Sequence, residues 1–155
     1  MRIGLFIAIG SIFTLFASPK IALAREKLIK YGDLPPAVQK TAQAETKGAT
    51  VKGYSKEVAK GRVVYEVETV TDGKSRDISI DSSGTVIETE QQVSLDRVPT
   101  GARAAIGKAA ERGSILKVEE VKSDSETAYE AQILSNGKHR EVRVHADGSP
   151  APEQD

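Results

Sequence analysis

The chain has no cysteine and no tryptophan among its 155 residues, and only 5% of it is aromatic. Without cysteine there is no disulfide framework, no thiolate nucleophile and no thiolate metal site. Stability must come from packing, with few large side chains available to pack. A basic excess is missing too: lysine and arginine number 22, aspartate and glutamate 22. That balance excludes the electrostatic footprint of a nucleic-acid binder. There is no Gly-rich phosphate loop and no Gly-x-Ser-x-Gly elbow that would expose a serine nucleophile. The length suits one domain or two very small ones, not a multidomain enzyme.

The one long apolar run lies at the start, in MRIGLFIAIGSIFTLFASPKIALA. A single basic residue, Arg2, precedes an apolar stretch from Ile3 to Ala17, and Ala22-Leu23-Ala24 has the small-x-small form read by signal peptidase. Residues 1–24 are therefore expected to be a signal peptide cut between Ala24 and Arg25. The stretch is shorter than the ~20 residues of a spanning helix, and an uncleaved anchor is the alternative. No Arg-Arg pair precedes the run and no cysteine follows it, which argues against the twin-arginine route and a lipid anchor. The mature chain is expected outside the cytoplasm, periplasmic or secreted, with no further membrane span. Loss of Arg2 and Lys20 leaves 20 basic against 22 acidic side chains.

What the chain does have is an internal echo. DGKSRDISIDSSG at 72–84 is followed sixty-four positions later by NGKHREVRVHADG at 136–148. At that constant offset Tyr65-Glu66 aligns with Tyr129-Glu130, Arg76 with Arg140, Ile78 and Ile80 with Val142 and Val144, and Leu34-Pro35 with Val98-Pro99. An ungapped match of this length points to a duplication. The two repeats are expected at 34–91 and 95–150, with 25–33 as an N-terminal segment and 151–155 as a frayed tail.

Each copy opens with a helix. Leu34, Val38, Thr41, Ala42 and Glu45 recur at helical spacing, as do Val98, Ala102, Ala105, Ile106 and Ala109. Prolines at 35, 36 and 99 stand where a helix start tolerates them, and Lys47-Gly48 and Arg112-Gly113 supply a basic residue and a glycine as stops. Gly101, Gly107 and Gly113 fall in or at the end of the second helix, where they weaken it or allow close packing on a sheet. Strands follow at 63–68 and 128–133, then Asp72-Gly73 and Asn136-Gly137, the dipeptides of a tight hairpin whose central residues take positive φ. The return strands run over 76–81 and 140–145. A less regular strand precedes each hairpin, over 50–58 and 114–122, and Ile115 and Val118, three apart, predict a bulge there. Residues 85–90 form a further strand, whose counterpart in the second copy is cut short by Pro150 and Pro152. The fold class is α+β: two tandem repeats, each a helix followed by a three- to four-stranded antiparallel sheet with the helix on one face.

Alternation assigns the faces. The helix side holds Tyr65, Val67, Ile78 and Ile80, with Tyr129, Ala131, Val142 and Val144. The other side holds Glu66, Glu68, Asp77, Ser79 and Asp81 in the first copy, and Glu130, Gln132, Glu141, Arg143 and His145 in the second. It is expected to face water, as one side of an antiparallel sheet does. This mixed, largely acidic face is the candidate partner-binding surface.

Catalytic and metal constellations find little support. His139 and His145, six apart on one strand, stand some ~20 Å from one another, too far to share an ion. Asp81-Ser82-Ser83-Gly84 and His145-Ala146-Asp147-Gly148 echo the end of a calcium loop but lack its alternating ligands and closing glutamate, so plain turns are expected. Glu66 and Glu68 share a strand face as paired carboxylates, which a polar surface explains without catalysis. Arg76 and Arg140 share parity with the core positions, and each is expected to lay its stem along the sheet rim. No cofactor, no metal ligand set and no catalytic residue is assigned.

Two segments carry a family resemblance. LPPAV at 34–38, YEVE at 65–68 and DGKSRDISIDSSG at 72–84 resemble a PepSY repeat. VPTGARAAI at 98–106, YEAQI at 129–133 and NGKHREVRVHADG resemble a more divergent one. The resemblance implies the tandem helix-plus-sheet, β-lactamase-inhibitor-like fold of secreted PepSY-like proteins. It also implies a non-catalytic module that binds another extracytoplasmic protein, with a peptidase or other envelope enzyme as the target of an inhibitor. A small-ligand or ion-responsive envelope sensor is the alternative.

Overall fold

The computed structural model describes residues 27–59 and 61–152; the expected signal peptide, its cleavage point at Ala24 and Arg25, and residues 153–155 lie outside the described residues. The chain runs through β1 (Lys27–Ile29), a single 3-10 turn at Tyr31–Asp33, α1 (Pro36–Glu45), β2 (Thr50–Ala59), β3 (Arg62–Thr71), β4 (Lys74–Asp81) and β5 (Val86–Gln92). A second 3-10 turn at Leu95–Arg97 leads into α2 (Thr100–Ala109), β6 (Gly113–Ser123), β7 (Thr127–Ser135) and β8 (Lys138–His145). All eight strands form one antiparallel sheet in sequential order. The repeat pattern leaves open whether the two halves share one sheet; β5 and β6 pair through Glu88–Gln92 and Glu119–Ser123 and fuse them. Unpaired edge strands at that point would leave two rows of backbone groups without partners.

Local chemistry explains the elements. Pro36 opens α1, and Pro35 and Pro99 stand just before the two helices, where their missing N–H costs nothing. Asp72-Gly73 and Asn136-Gly137 have φ of 52°, 76°, 51° and 71°, the paired positive values of a two-residue hairpin. Bulges interrupt β2 between Val51 and Gly53 and β6 between Ile115 and Lys117. The second skips Leu116, so Ile115 and Val118 reach the same side despite their spacing of three.

One sequence expectation needs correction, and two terminal segments gain pairings. Gly113 is not a left-handed helix stop; it begins β6, and a Cβ there would lie 2.5 Å from the Leu134 carbonyl oxygen across the ladder. The N-terminal segment contributes a strand, β1, whose residues pair with Tyr54–Lys56 of β2. Past β8, Pro150 bridges Val144 and the first tail residue, Ala151, donates its N–H to the Arg143 carbonyl at 3.0 Å. Those contacts shield part of the β8 edge, where the fifth strand of the first half has no full counterpart.

Both helices lie on the same side of the sheet, over two separate cores. Leu34, Val38 and Ala42 pack on Tyr65, Val67, Ile78 and Ile80. Val98, Ala102, Ile106 and Ala110 pack on Val118, Tyr129, Ala131, Ile133 and Val144. Between the cores the helix side carries Thr89, Gln91, Glu120 and Lys122, in register across β5 and β6, so the apolar clusters do not merge. The halves also dock their helices alike. The Arg76 guanidinium donates from Nη1 to the Glu45 carbonyl at 3.1 Å and pairs from Nη2 with the Glu45 carboxylate at 2.9 Å. Sixty-four residues on, Arg140 donates to the Ala109 carbonyl. Each arginine satisfies a carbonyl left open at a helix C-terminus. Gly84 and Gly148, with φ of 91° and 89°, press against the backbones of Ala37 and Gly101 at the helix starts.

Candidate functional site

The side of the sheet away from the helices is uncovered among the described elements, and register places its residues strand by strand. β3 contributes Glu66 and Glu68, and β4 Asp77 and Ser79 opposite them, with Asp81 opposite Val64. Asp77 then faces Glu90 of β5, and Ser79 faces Glu88. Glu90 faces Val121 of β6, Gln92 faces Glu119, and Glu119 faces Glu130 of β7. β8 completes the row with Arg143 opposite Glu130, Glu141 opposite Gln132 and His145 opposite Ala128. The ten residues read from alternation thus share one face. The middle of that face comes from residues that alternation alone did not assign: Glu88 and Glu90 of β5, Lys117 and Glu119 of β6.

This face is not the open watery surface expected of it. Glu119 is 1% exposed, Val121 0% and Arg143 8%. Glu66, Glu68, Asp77, Glu88, Glu90 and Glu130 are all half-buried. Long polar side chains on six adjacent strands shield one another, with most of the shielding at the seam where β5 meets β6. Only the periphery matches the expectation, with Glu141 exposed.

Burying so many carboxylates together raises their proton affinity. Oxygens of Asp77, Glu90 and Glu119 lie within 4.8 Å of one another. Loss of water pushes Glu90 up to about 8, with Glu130, Glu119, Glu88 and Asp77 adding to it in that order. Glu130 rises to about 7, through burial first and then Glu141, against the pull of Arg143. Asp77 rises to about 6, again through burial, opposed by Lys117 and assisted by Glu119 and Glu68. Two cations offset part of the charge. Lys117 Nζ stands 2.8 Å from Glu119 Oε1, and Arg143 Nη2 donates to Glu88 Oε2 at 2.8 Å. The ion pairs found among the described residues do not include Asp77, Glu90 or Glu130.

The remaining sequence candidates sit apart from this centre. Asp81 turns its carboxylate onto its own loop, accepting from the Ser83 and Thr85 N–H groups at 2.8 and 3.0 Å and from the Ser83 hydroxyl at 2.5 Å. These bonds hold its pKa below the usual aspartate value. Asp147 does the same with Ser149, so in each of these turns one carboxylate oxygen closes its own loop. His145 Nδ1 lies 3.7 Å from Glu126 at the edge of the face, and His139 is exposed.

The β5 residues had a signal in the sequence, since Glu88 and Glu90 alternate with Thr89 and Gln91. Glu119 did not: the skipped Leu116 reverses the parity of everything upstream of the bulge, and neighbouring Glu119 and Glu120 compete for the same assignment.

Residues 37–90 match the family model for PepSY, described as peptidase propeptide and YPEB domain. That stretch runs from α1 into β5; α2 and β6 to β8 lie outside it. No curated protein matches the chain. Among solved structures, a BLIP-like protein from Bacteroides fragilis NCTC 9343 is similar with a TM-score of 0.56 and 22% identity, over 79% of this chain and 88% of that one. A DUF2874 family protein from Bacteroides ovatus ATCC 8483 gives 0.59 and 18%, over 78% and 87%. A proposed periplasmic protein from Bacteroides eggerthii DSM 20697 gives 0.60 and 17%, over 78% and 88%. At these identities the likeness is one of fold. Residues 37–90 are thus similar to the PepSY family, within a fold similar to that of a BLIP-like protein.

Proposed function

We propose that this is a non-catalytic, periplasmic or secreted protein-binding module that captures or occludes another protein on the helix-free face of its sheet. The carrying observation is that face itself. It is a wide acidic surface on backbone held by seven strand pairings, with helices packed only behind it. A rigid sheet loses little conformational entropy on binding, which favours recognition by a preformed surface. An envelope peptidase is the target class to which the peptidase-propeptide match points. The neighbour from Bacteroides eggerthii supports the periplasmic reading, and no helix among the described residues is long and apolar enough to cross a membrane. On this reading residues 1–24 are a cleaved leader. Residues 34–91 and 95–150 are two copies of one unit, supported by the arginine caps at Glu45 and Ala109 and the glycine turns at 84 and 148.

The test is affinity capture from the envelope extract of the native host. Residues 25–155 serve as bait beside a variant with Glu66, Glu68, Glu130 and Glu141 changed to lysine. A partner held by the first and lost by the second is the expected result. Equal retention by both, or specific retention by neither, sinks the reading.

The Asp77–Glu90–Glu119 cluster favours one alternative, an ion-responsive envelope sensor. That reading predicts a calcium-dependent rise in Tm, because an ion bound only by the folded state stabilises it.

A further inference from the structure

We propose that the occupant of this face is a basic polypeptide segment, one lysine or arginine of which enters between Asp77, Glu90 and Glu119 at the β5–β6 seam. The inference rests on the protein-binding reading and names the chemistry of the partner.

Charge and extent come first. Among the described residues the face carries nine carboxyl groups, from Glu66 on β3 to Glu141 on β8, against the cations Arg62, Lys117 and Arg143. β3 to β8 is five strand spacings, roughly 24 Å at ~4.8 Å each. A single metal ion would neutralise only the centre of such a field. A chain bearing several basic side chains matches its length.

Geometry at the centre suits an ammonium. Three N–H bonds in tetrahedral directions, each reaching an oxygen ~2.8 Å away, hold those oxygens ~4.6 Å apart. The Asp77, Glu90 and Glu119 oxygens all lie within 4.8 Å of one another, close enough for a single ammonium to reach all three. The chain's own Lys117 already places an ammonium 2.8 Å from Glu119 and interacts with Asp77 and Glu90 too, so the cluster is one that accepts an ammonium and an incoming cation would share it.

An independent feature calls for acceptors as well as a cation. Arg143, more than nine-tenths buried on this same face, spends Nη2 on Glu88 and leaves Nε with no acceptor. Ser75, on the same face two residues before Asp77, has a buried hydroxyl with no partner. A metal ion offers nothing to these donors, whereas the carbonyls of a bound peptide satisfy them.

The probe is acetyl-tetralysine-amide, titrated calorimetrically into residues 25–155 at low and at physiological salt, with acetyl-tetraglutamate-amide as the opposite-charge control. The expected result is tetralysine binding that weakens with salt and no tetraglutamate binding. Asp77→Asn together with Glu90→Gln should weaken it roughly tenfold. These substitutions remove ionisable carboxyls, which a bound ammonium would hold deprotonated, without changing shape, and a retained cooperative melt shows that the variant folds. Glu111→Gln, two residues past the end of α2 on the helix side, should leave affinity unchanged. No tetralysine binding, or binding indifferent to Asp77 and Glu90, overturns the proposal. Calcium that raises Tm and displaces the peptide would make the cluster a metal site and overturn it too. So would salt-sensitive self-association lost on changing Lys138 and Arg140, which would make a second copy the occupant. Capture of an envelope partner while tetralysine fails refutes the basic segment alone. Tetralysine binding while the envelope yields no partner refutes the protein-binding reading instead.

Discussion

Changing Glu90 to glutamine should make the protein more stable at alkaline pH and scarcely alter it in acid. The fold raises this carboxyl from 4.5 to about 8, chiefly by removing water from it. Below the unfolded value both states hold the proton, and the group contributes nothing. Between the two values the folded chain holds a proton that the unfolded chain has released, so stability falls as pH rises, and the full penalty applies above about 8. A shift of about 3.5 units corresponds to ~5 kcal/mol at ~1.4 kcal/mol per unit. Glu90 is only half-buried and shares its protons with Glu130 and Asp77, which reduces the recoverable part to ~2 kcal/mol. For a domain of this size that is a Tm difference of ~4–8 °C. Thermal melts followed by circular dichroism near pH 5, 7 and 9 provide the measurement. Wild type should lose stability across the series, while Glu90→Gln should match it near pH 5 and exceed it by ~2 kcal/mol near pH 9. Parallel pH curves for the two proteins would refute the reasoning.

Three further outcomes follow from the packing. Gly101→Ala would put a Cβ 2.5 Å from the Asp147 carbonyl group, where backbone must move, and should cost ~2–4 kcal/mol in denaturant titration. Gly107→Ala, in the same helix, has nothing within 4 Å and should gain ~0.5–1 kcal/mol; equal effects of the two would contradict the docking of α2 on the β8 turn. Arg76→Ala opens the C-terminus of α1 and should cost ~1 kcal/mol, read as faster hydrogen exchange in the last turn of that helix relative to α2. Residues 25–94 alone retain only the first, seven-residue core and expose the edge of β5, and should show no cooperative melt; a sharp transition from that fragment would show that the halves do not need each other.

Much of the architecture was legible because it is written in local chemistry. The hairpins at 72–73 and 136–137 follow from Asp-Gly and Asn-Gly, which adopt positive φ at little cost. The faces of β3, β4, β7 and β8 follow from strict alternation, which assigned Tyr65, Val67, Ile78 and Ile80 to the core and Glu66, Glu68 and Asp77 away from it. The second glycine stop failed because a glycine has more than one use. Gly48, with φ of 80°, follows α1 as expected, but Gly113 is needed where the Leu134 carbonyl comes too close for any side chain.

The candidate site was only half legible. Its margins lie on regular strands, but its centre depends on which strand follows which across the seam and on a bulge that shifts register by one. Neither is a property of a short stretch of chain.

The sequence by itself determined the element types, the hairpins, the two helix stripes and an acidic face, since each depends on residues within a turn or a strand of one another. Only the tertiary structure decided that the two halves share one sheet. It also decided that Glu90 and Glu119 meet at the seam, and that their carboxyls are short of water. Burial and proton affinity depend on what surrounds a group in space. Here that surrounding comes from strands up to sixty-six residues apart, Asp77 on β4 and Arg143 on β8.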